Sequence, residues 1–308
     1  MSDGRRRRNV GKSKVTATVN LTMGQPDVAG LERRANVIRG RIIEMLAAAG
    51  SGHSAGPLGM SEILTALYFS IMRHDPQRPE WADRDLFFLS NGHTAPVLYA
   101  TMAEAGYFPI EELSTLRSLG SRLQGHPERI ALPGLENTSG PLGSGLSQAA
   151  GYAYALQYLD RTHDRFVYVS MGDGELNEGN IWEAAMFASK YRLRQLIGIV
   201  DRNYIQIDGP TEDVMPLEDL RGKWESFGWH VQDIDGNSIC AILDAVRTAK
   251  AMIRKPSIII AHTVPGKGVP MMEHDHRWHG MVPNVEQARL ALSGLGLPPH
   301  GTTEEGNS

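Results

Sequence analysis

The sequence predicts an α/β fold, a central parallel sheet with helices on both faces. Two observations carry that expectation. Apolar runs of strand length, Leu86–Leu89, Phe166–Met171, Gln195–Val200 and Ser257–His262, alternate with segments of helical period. Each run also leads into a loop of chemically versatile residues: SNGH, GDG, DRN and HTVPGKG in turn. Parallel strands buried on both faces read as continuous apolar runs, and ligands of such sheets sit beyond the carboxyl ends of the strands.

Residues 29–49 set Leu31, Ala35, Ile38, Ile42, Met45 and Leu46 at helical spacing, and Gly50 ends that helix. A glycine-rich loop with His53 follows. A second helix is expected from Ser61, as its N-cap, to Met72. Leu86–Leu89 is a strand, and Ser90-Asn91-Gly92-His93 its carboxyl-end loop. Gly140–Leu159, rich in glycine and alanine, reads as a helix built for close packing. Phe166–Met171 leads into Gly172-Asp173-Gly174. A helix after the turn Asp235-Gly236-Asn237 is expected to carry Cys240 into the core. There is no internal repeat and no long linker, so one domain is expected over 29–295.

The chain has 308 residues, 41% of them hydrophobic and 21% charged, enough for a sizeable core. A net charge of −4 gives no general affinity for nucleic acid, and no apolar run reaches membrane-span length. The single cysteine rules out an intrachain disulfide and points to a reducing, cytoplasmic compartment. Arg5-Arg6-Arg7-Arg8 lies in a basic tail (1–28) without an apolar signal core, and it is expected to be solvated and disordered, like the tail 296–308.

The densest chemistry lies between Met171 and Asn203. Asp173 and Asn203 are thirty residues apart, the spacing of a strand–turn–helix–strand unit that returns the chain beside its start. A hard divalent cation takes oxygen ligands: a carboxylate, an amide carbonyl and phosphate oxygens of a ligand. Glycines at 172 and 174 let backbone approach those phosphates. The segment therefore reads as a Mg²⁺–diphosphate clamp. Its rival, a turn with a capping Asp and an unrelated Asn, is disfavoured by the other motifs. Neither a Walker loop nor GxGxxG after the first strand is present, which argues against a nucleotide site. Met272-Glu273-His274-Asp275-His276 lacks the helical i, i+4 His pair of a zinc motif and is expected to form a lid.

In order along the chain, SGHSAGPLGMSEIL, DLFFLSNGHTAPVLY, QGHPE, SGPLGSGLSQAAGYA, the GDG…DRN clamp and KGVPMMEHDHRWHG resemble the transketolase family over roughly residues 30–285. The chain is similar to a separately encoded N-terminal half of that enzyme. The resemblance implies the thiamine-diphosphate-binding fold, with thiamine diphosphate and Mg²⁺ (or Ca²⁺ or Mn²⁺) as cofactors. It implies Asp173, Asn203 and the Ile205 carbonyl as metal ligands. It implies cofactor contacts from His93, Gly140, Leu142, Gly172, Asp173, Gly174, Asn203, Ile207 and His279, with the Gly174 amide donating to phosphate. It implies catalytic roles for His53, His93, His126 and His279, whose imidazoles suit proton traffic near neutral pH. It implies a catalytic role for Glu178 as well, pointing toward the subunit interface and coupled to the partner's activating carboxylate. One departure stands out, since many relatives carry Asn or Asp where this chain has Arg202.

The resemblance also implies a transferase moving a two-carbon ketol unit from a ketose or ketose phosphate to an aldehyde. The activating glutamate of the family lies in a pyrimidine-binding domain. A separate partner subunit, carrying that domain and a C-terminal one, is therefore expected in an α₂β₂ assembly. Alternatives are a split carboligase using pyruvate or an unusual sugar, and a non-catalytic regulatory subunit.

Overall fold

The computed structural model describes residues 26–162 and 164–298. Apart from residues 26–28 and 296–298, the two expected tails lie outside the described residues. The strands are β1 (Leu86–Leu89), β2 (Val167–Gly172), β3 (Leu196–Arg202), β4 (Ile205–Gln206), β5 (Gly209–Pro210), β6 (His230–Asp235) and β7 (Ser257–His262). The helices are α1 (Val28–Ala49), α2 (Ala55–Gly59), α3 (Ser61–Ala66), α4 (Ala95–Ala105), α5 (Ser144–Tyr154), α6 (Gly179–Lys190), α7 (Thr211–Val214), α8 (Leu220–Ser226), α9 (Ile239–Ala251) and α10 (Val285–Gly294).

Five strands make one parallel sheet in the order β1-β2-β3-β7-β6, while β4 and β5 form a small antiparallel hairpin just beyond β3. The pleat sends alternate residues to opposite faces. Tyr168, Ile197, Ile199, Ile259 and Ala261 join a core with α1, α3, α4 and α9. Val167, Val169, Met171, Leu196, Val200, Ile258 and Ile260 join a second core with α5, α6 and α8. Both faces are thus covered, as the unbroken apolar runs require.

Helix α1 shows how sequence becomes packing. Asp27 caps its first turn by accepting the Gly30 N–H at 2.9 Å, and Gly50 closes it in the left-handed region at φ 63°. The expected stripe, Leu31 to Leu46, is buried, and each fully buried Ile or Leu contributes roughly 1.5–3 kcal/mol. Arg39 on that face is buried too, and it forms an ion pair with buried Glu62.

Three local expectations change. Ser61 does not cap a helix start, because α2 precedes it and its hydroxyl bonds back to the Pro57 carbonyl at 3.3 Å. The glycine-rich helix begins at Ser144 rather than Gly140, since Gly140 and Gly143 are at φ 144° and 83°. Cys240 is exposed. Helix α9 buries Ile239, Ile242, Leu243 and Val246, and Cys240 falls off that stripe.

Gly145, in the first turn of α5, lies so close to Ser90 at the end of β1 that any Cβ would strike the Ser90 side chain and backbone. Gly145→Ala is expected to cost about 2 kcal/mol, read as a lower urea midpoint at unchanged m.

Candidate active site

The carboxyl ends of β1, β2 and β3 build the site. Register places Gly172 beside Asp201, and Asp201 beside Ala261 of β7. The Asp173 N–H extends that ladder, donating to the Asp201 carbonyl at 3.2 Å. The thirty-residue return read from the sequence is thus realised by β2–α6–β3, with Asp173 and Asn203 one position beyond adjacent strands.

Both side chains line a cavity of about 350 Å³. His53, His93, His126, His279, Gly140, Leu142, Gly172, Gly174, Ile205 and Ile207 line the same cavity. Glu178 does not; it is exposed at the start of α6. Four lining residues carried no expectation from the sequence: Glu175, Asp201, Gln206 and Asp208.

Asp173 is buried and tightly held. Its Oδ1 accepts the Gly174 N–H at 2.8 Å, and its Oδ2 accepts the Tyr204 N–H at 2.7 Å. Tyr204 presents that N–H from the left-handed region, at φ 66°. Asn203 is positioned by donating to Asp201 at 2.7 Å and accepting the Ile205 N–H at 3.1 Å. The amide of Gly174 was expected to serve a phosphate, but it is engaged by Asp173. That of Gly172 is likewise engaged, by Glu175 at 3.0 Å.

Glu175 braces three segments. It accepts from the Ser90 hydroxyl, from the Gly143 N–H at 2.6 Å and from the Gly172 N–H. Its burial raises its pKa, and these donors oppose the rise. An acid in the GDGELNE loop was visible in the sequence, but its inward direction was not.

His53, His93 and His279 form a triangle, with ring centroids 5.1, 5.6 and 5.1 Å apart. Burial, then mutual repulsion, lowers His53 to about 4 and His93 to about 3 from the usual 6.5. Burial also lowers His279, while burial and then Arg117 lower His126. All four shifts favour the neutral imidazole. The Nδ1 atoms of His53 and His279 are buried without a hydrogen-bond partner, and such groups are costly unless a ligand completes them.

Asp201 is fully buried, accepting from Thr263 Oγ1 and Asn203. Burial, and next to it Asp173, raises its pKa from 3.8 to about 7. Because the folded value lies above the unfolded one, this carboxyl favours folding below pH 4 and loses that contribution as pH rises through 7. Asp201→Asn is expected to flatten that loss and to make the ligand-free chain about 2 kcal/mol more stable than wild type at pH 8, by denaturant titration at pH 5 and pH 8.

A parallel α/β sheet bearing an oxygen-donor pair and a histidine triangle at its strand ends defines a cofactor-anchoring enzyme domain. A family model described as "Transketolase, thiamine diphosphate binding domain" matches residues 31–304. The 6-deoxy-6-sulfo-D-fructose transketolase subunit SqwG of Clostridium sp. (strain MSTE9) is 45% identical over 86% of this chain and 96% of its own length. An apulose-4-phosphate transketolase subunit of Phocaeicola vulgatus is 43% identical over 86% of this chain and 93% of its own length. The solved transketolase of Leishmania mexicana is similar with a TM-score of 0.84 and 35% identity, covering 88% of this chain and 42% of that one. The chain belongs to the transketolase family, a family of transferases, and corresponds to the subunit form of split transketolases.

Proposed function

We propose that this chain is the diphosphate- and cation-binding subunit of a two-component transketolase, acting on a ketose that carries an anionic group as donor and on an aldehyde as acceptor. One observation carries the reading: Asp173 and Asn203, held by hydrogen bonds at the strand ends, share a cavity with four histidines. Among the described residues no three His, Cys, Asp or Glu side chains gather as a self-sufficient metal site. A Mg²⁺ here would draw on the Asp173 carboxylate, the Asn203 amide oxygen, the Ile205 carbonyl and the oxygens of a diphosphate. The orphaned Nδ1 of His279 fits that group, and that of His53 a substrate oxygen beside it.

Thiamine diphosphate, when bound, supplies a carbon nucleophile that adds to a carbonyl and carries a two-carbon unit. This chain's residues place and solvate. His93 and His279 would hydrogen-bond the diphosphate, whose charge would raise the imidazole pKa values toward the range where they can trade protons. His53 and His126 would hold substrate oxygens, His126 at the donor's C1 hydroxyl. Leu142 and Ile207 line the cavity yet are 38% and 67% exposed, leaving apolar surface for the thiazolium side and the partner to cover.

The partner would bring the activating glutamate, in an α₂β₂ assembly, and residues 29–295 would form the diphosphate-binding domain. Among the described residues no helix is long and apolar enough to cross a membrane, and with the single cysteine we place the enzyme in the cytoplasm. The relatives named for a sulfonated and a phosphorylated sugar support an anionic donor. The test is ketol transfer by the reconstituted pair from xylulose 5-phosphate, with pyruvate as the competing donor. Turnover on pyruvate alone would contradict the reading.

A further inference from the structure

Arg202 lies between Asp201 and Asn203 on β3, and its side chain is completely buried. A buried guanidinium is costly unless its donors are met, and while Nε is buried without a partner, Nη1 and Nη2 are met. Here its Nη1 donates to Thr211 Oγ1 at 2.8 Å and to Asp173 Oδ2 at 3.2 Å. Its Nη2 donates to Glu212 at 2.6 Å and to Glu218 at 2.9 Å. The guanidinium lies 4.1 Å from the ring centroid of Tyr204, whose hydroxyl bonds His262 Nδ1 at 2.7 Å. His262 in turn meets Asp233 at 3.2 Å.

The distribution of donors on Asp173 is unequal. Oδ2 takes two, Arg202 Nη1 and the Tyr204 N–H, while Oδ1 takes only the Gly174 N–H. A carboxylate oxygen has two lone pairs, so Oδ2 is saturated and Oδ1 keeps one free. Glu212 and Glu218 meanwhile give the guanidinium two counter-charges of its own, so Asp173 does not have to neutralise it.

Resting on the proposed cation site, we propose that Arg202 is a positioning residue: it occupies Oδ2 so that Asp173 offers Oδ1 to the cation, and Glu212 and Glu218 keep its charge from competing with that cation. The segment of α7 and the loop before α8 are thereby coupled to cation affinity, although Glu212 and Glu218 are 35% and 56% exposed and line no part of the cavity.

The experiment titrates Mn²⁺ into the full-length chain with saturating thiamine diphosphate and follows the loss of the free Mn²⁺ electron paramagnetic resonance signal. Loss of a hydrogen-bond partner to a metal ligand typically weakens affinity by about 10–100-fold. Arg202→Met is expected to fall in that range and Arg202→Lys between it and wild type, because a single ammonium reaches Asp173 without the fork that also meets Glu212 and Glu218. The Glu212→Gln/Glu218→Gln double variant, altered only at accessible side chains, is expected to weaken Mn²⁺ severalfold by leaving the guanidinium to Asp173 alone. A folded Arg202→Met with wild-type Mn²⁺ affinity overturns the proposal. If Arg202→Met does not fold, unchanged affinity in the double variant overturns it. Absence of Mn²⁺ binding by wild type overturns the cation-site reading itself and this proposal with it.

Discussion

Asp173→Ala is expected to abolish cation-dependent binding of thiamine diphosphate and to lower turnover of the assembled enzyme by about a thousandfold or more. The carboxylate is the only charged group among the proposed protein ligands, so its loss leaves neutral oxygens to hold a hard cation against water. Placement of the cofactor is where the protein contributes to such chemistry, and misplacement alone costs orders of magnitude. The variant also removes the acceptor for the Gly174 and Tyr204 amides and for Arg202. Stability therefore has to be measured beside binding. Asp173→Asn separates the two effects, because it keeps an oxygen for two of those donors and loses the charge. It is expected to fold like wild type and still to fail at cofactor binding by calorimetry. Asp173→Asn that binds Mg²⁺ and thiamine diphosphate normally would remove Asp173 from the site.

The second large effect concerns the chain on its own. Purified alone, it is expected to show no ketol transfer above background. Addition of its partner subunit is expected to raise the rate by at least three orders of magnitude, with saturation near equimolar ratio. Of the cavity's four carboxylates, all but the exposed Asp208 are already committed in this chain. Asp173 meets three donors, Glu175 braces three segments, and Asp201 holds Asn203 and Thr263. None of the three is free to activate an aminopyrimidine ring, and the exposed Leu142 and Ile207 leave the cavity's mouth uncovered. Assays of each chain alone and of mixtures check this, and full activity of the isolated chain would contradict it.

What was legible in the sequence follows from what spacing encodes. The parallel sheet was readable because strands buried on both faces must be apolar throughout, and the site's position because loops at their carboxyl ends carried GDG, SNGH and DRN. The same reading gathered His53, His93, His126 and His279 near Asp173 only through the family resemblance, since four separate loops contribute them. Sequence spacing could not show that three of those rings would crowd to within 5.6 Å, where burial above all lowers their basicity. Nor could it show the inward turn of Glu175, or that the Gly174 N–H meets Asp173 Oδ1. Cys240 was misplaced because a helix after a turn has several possible phases, and α9 chose the one that buries Ile239, Ile242 and Val246. Arg202 was visible only as a departure. Its burial among three carboxylates depends on α7 and the loop before α8 folding back over β3.

The most direct measurement is anomalous scattering from a crystal of the chain grown with Mn²⁺ and thiamine diphosphate. The expected result is one anomalous peak at about 2.0–2.3 Å from an Asp173 carboxylate oxygen, the Asn203 amide oxygen and two phosphate oxygens. A peak elsewhere in the cavity, or one touching Asp173 while Asn203 stays turned to Asp201 and away from the ion, would contradict the account.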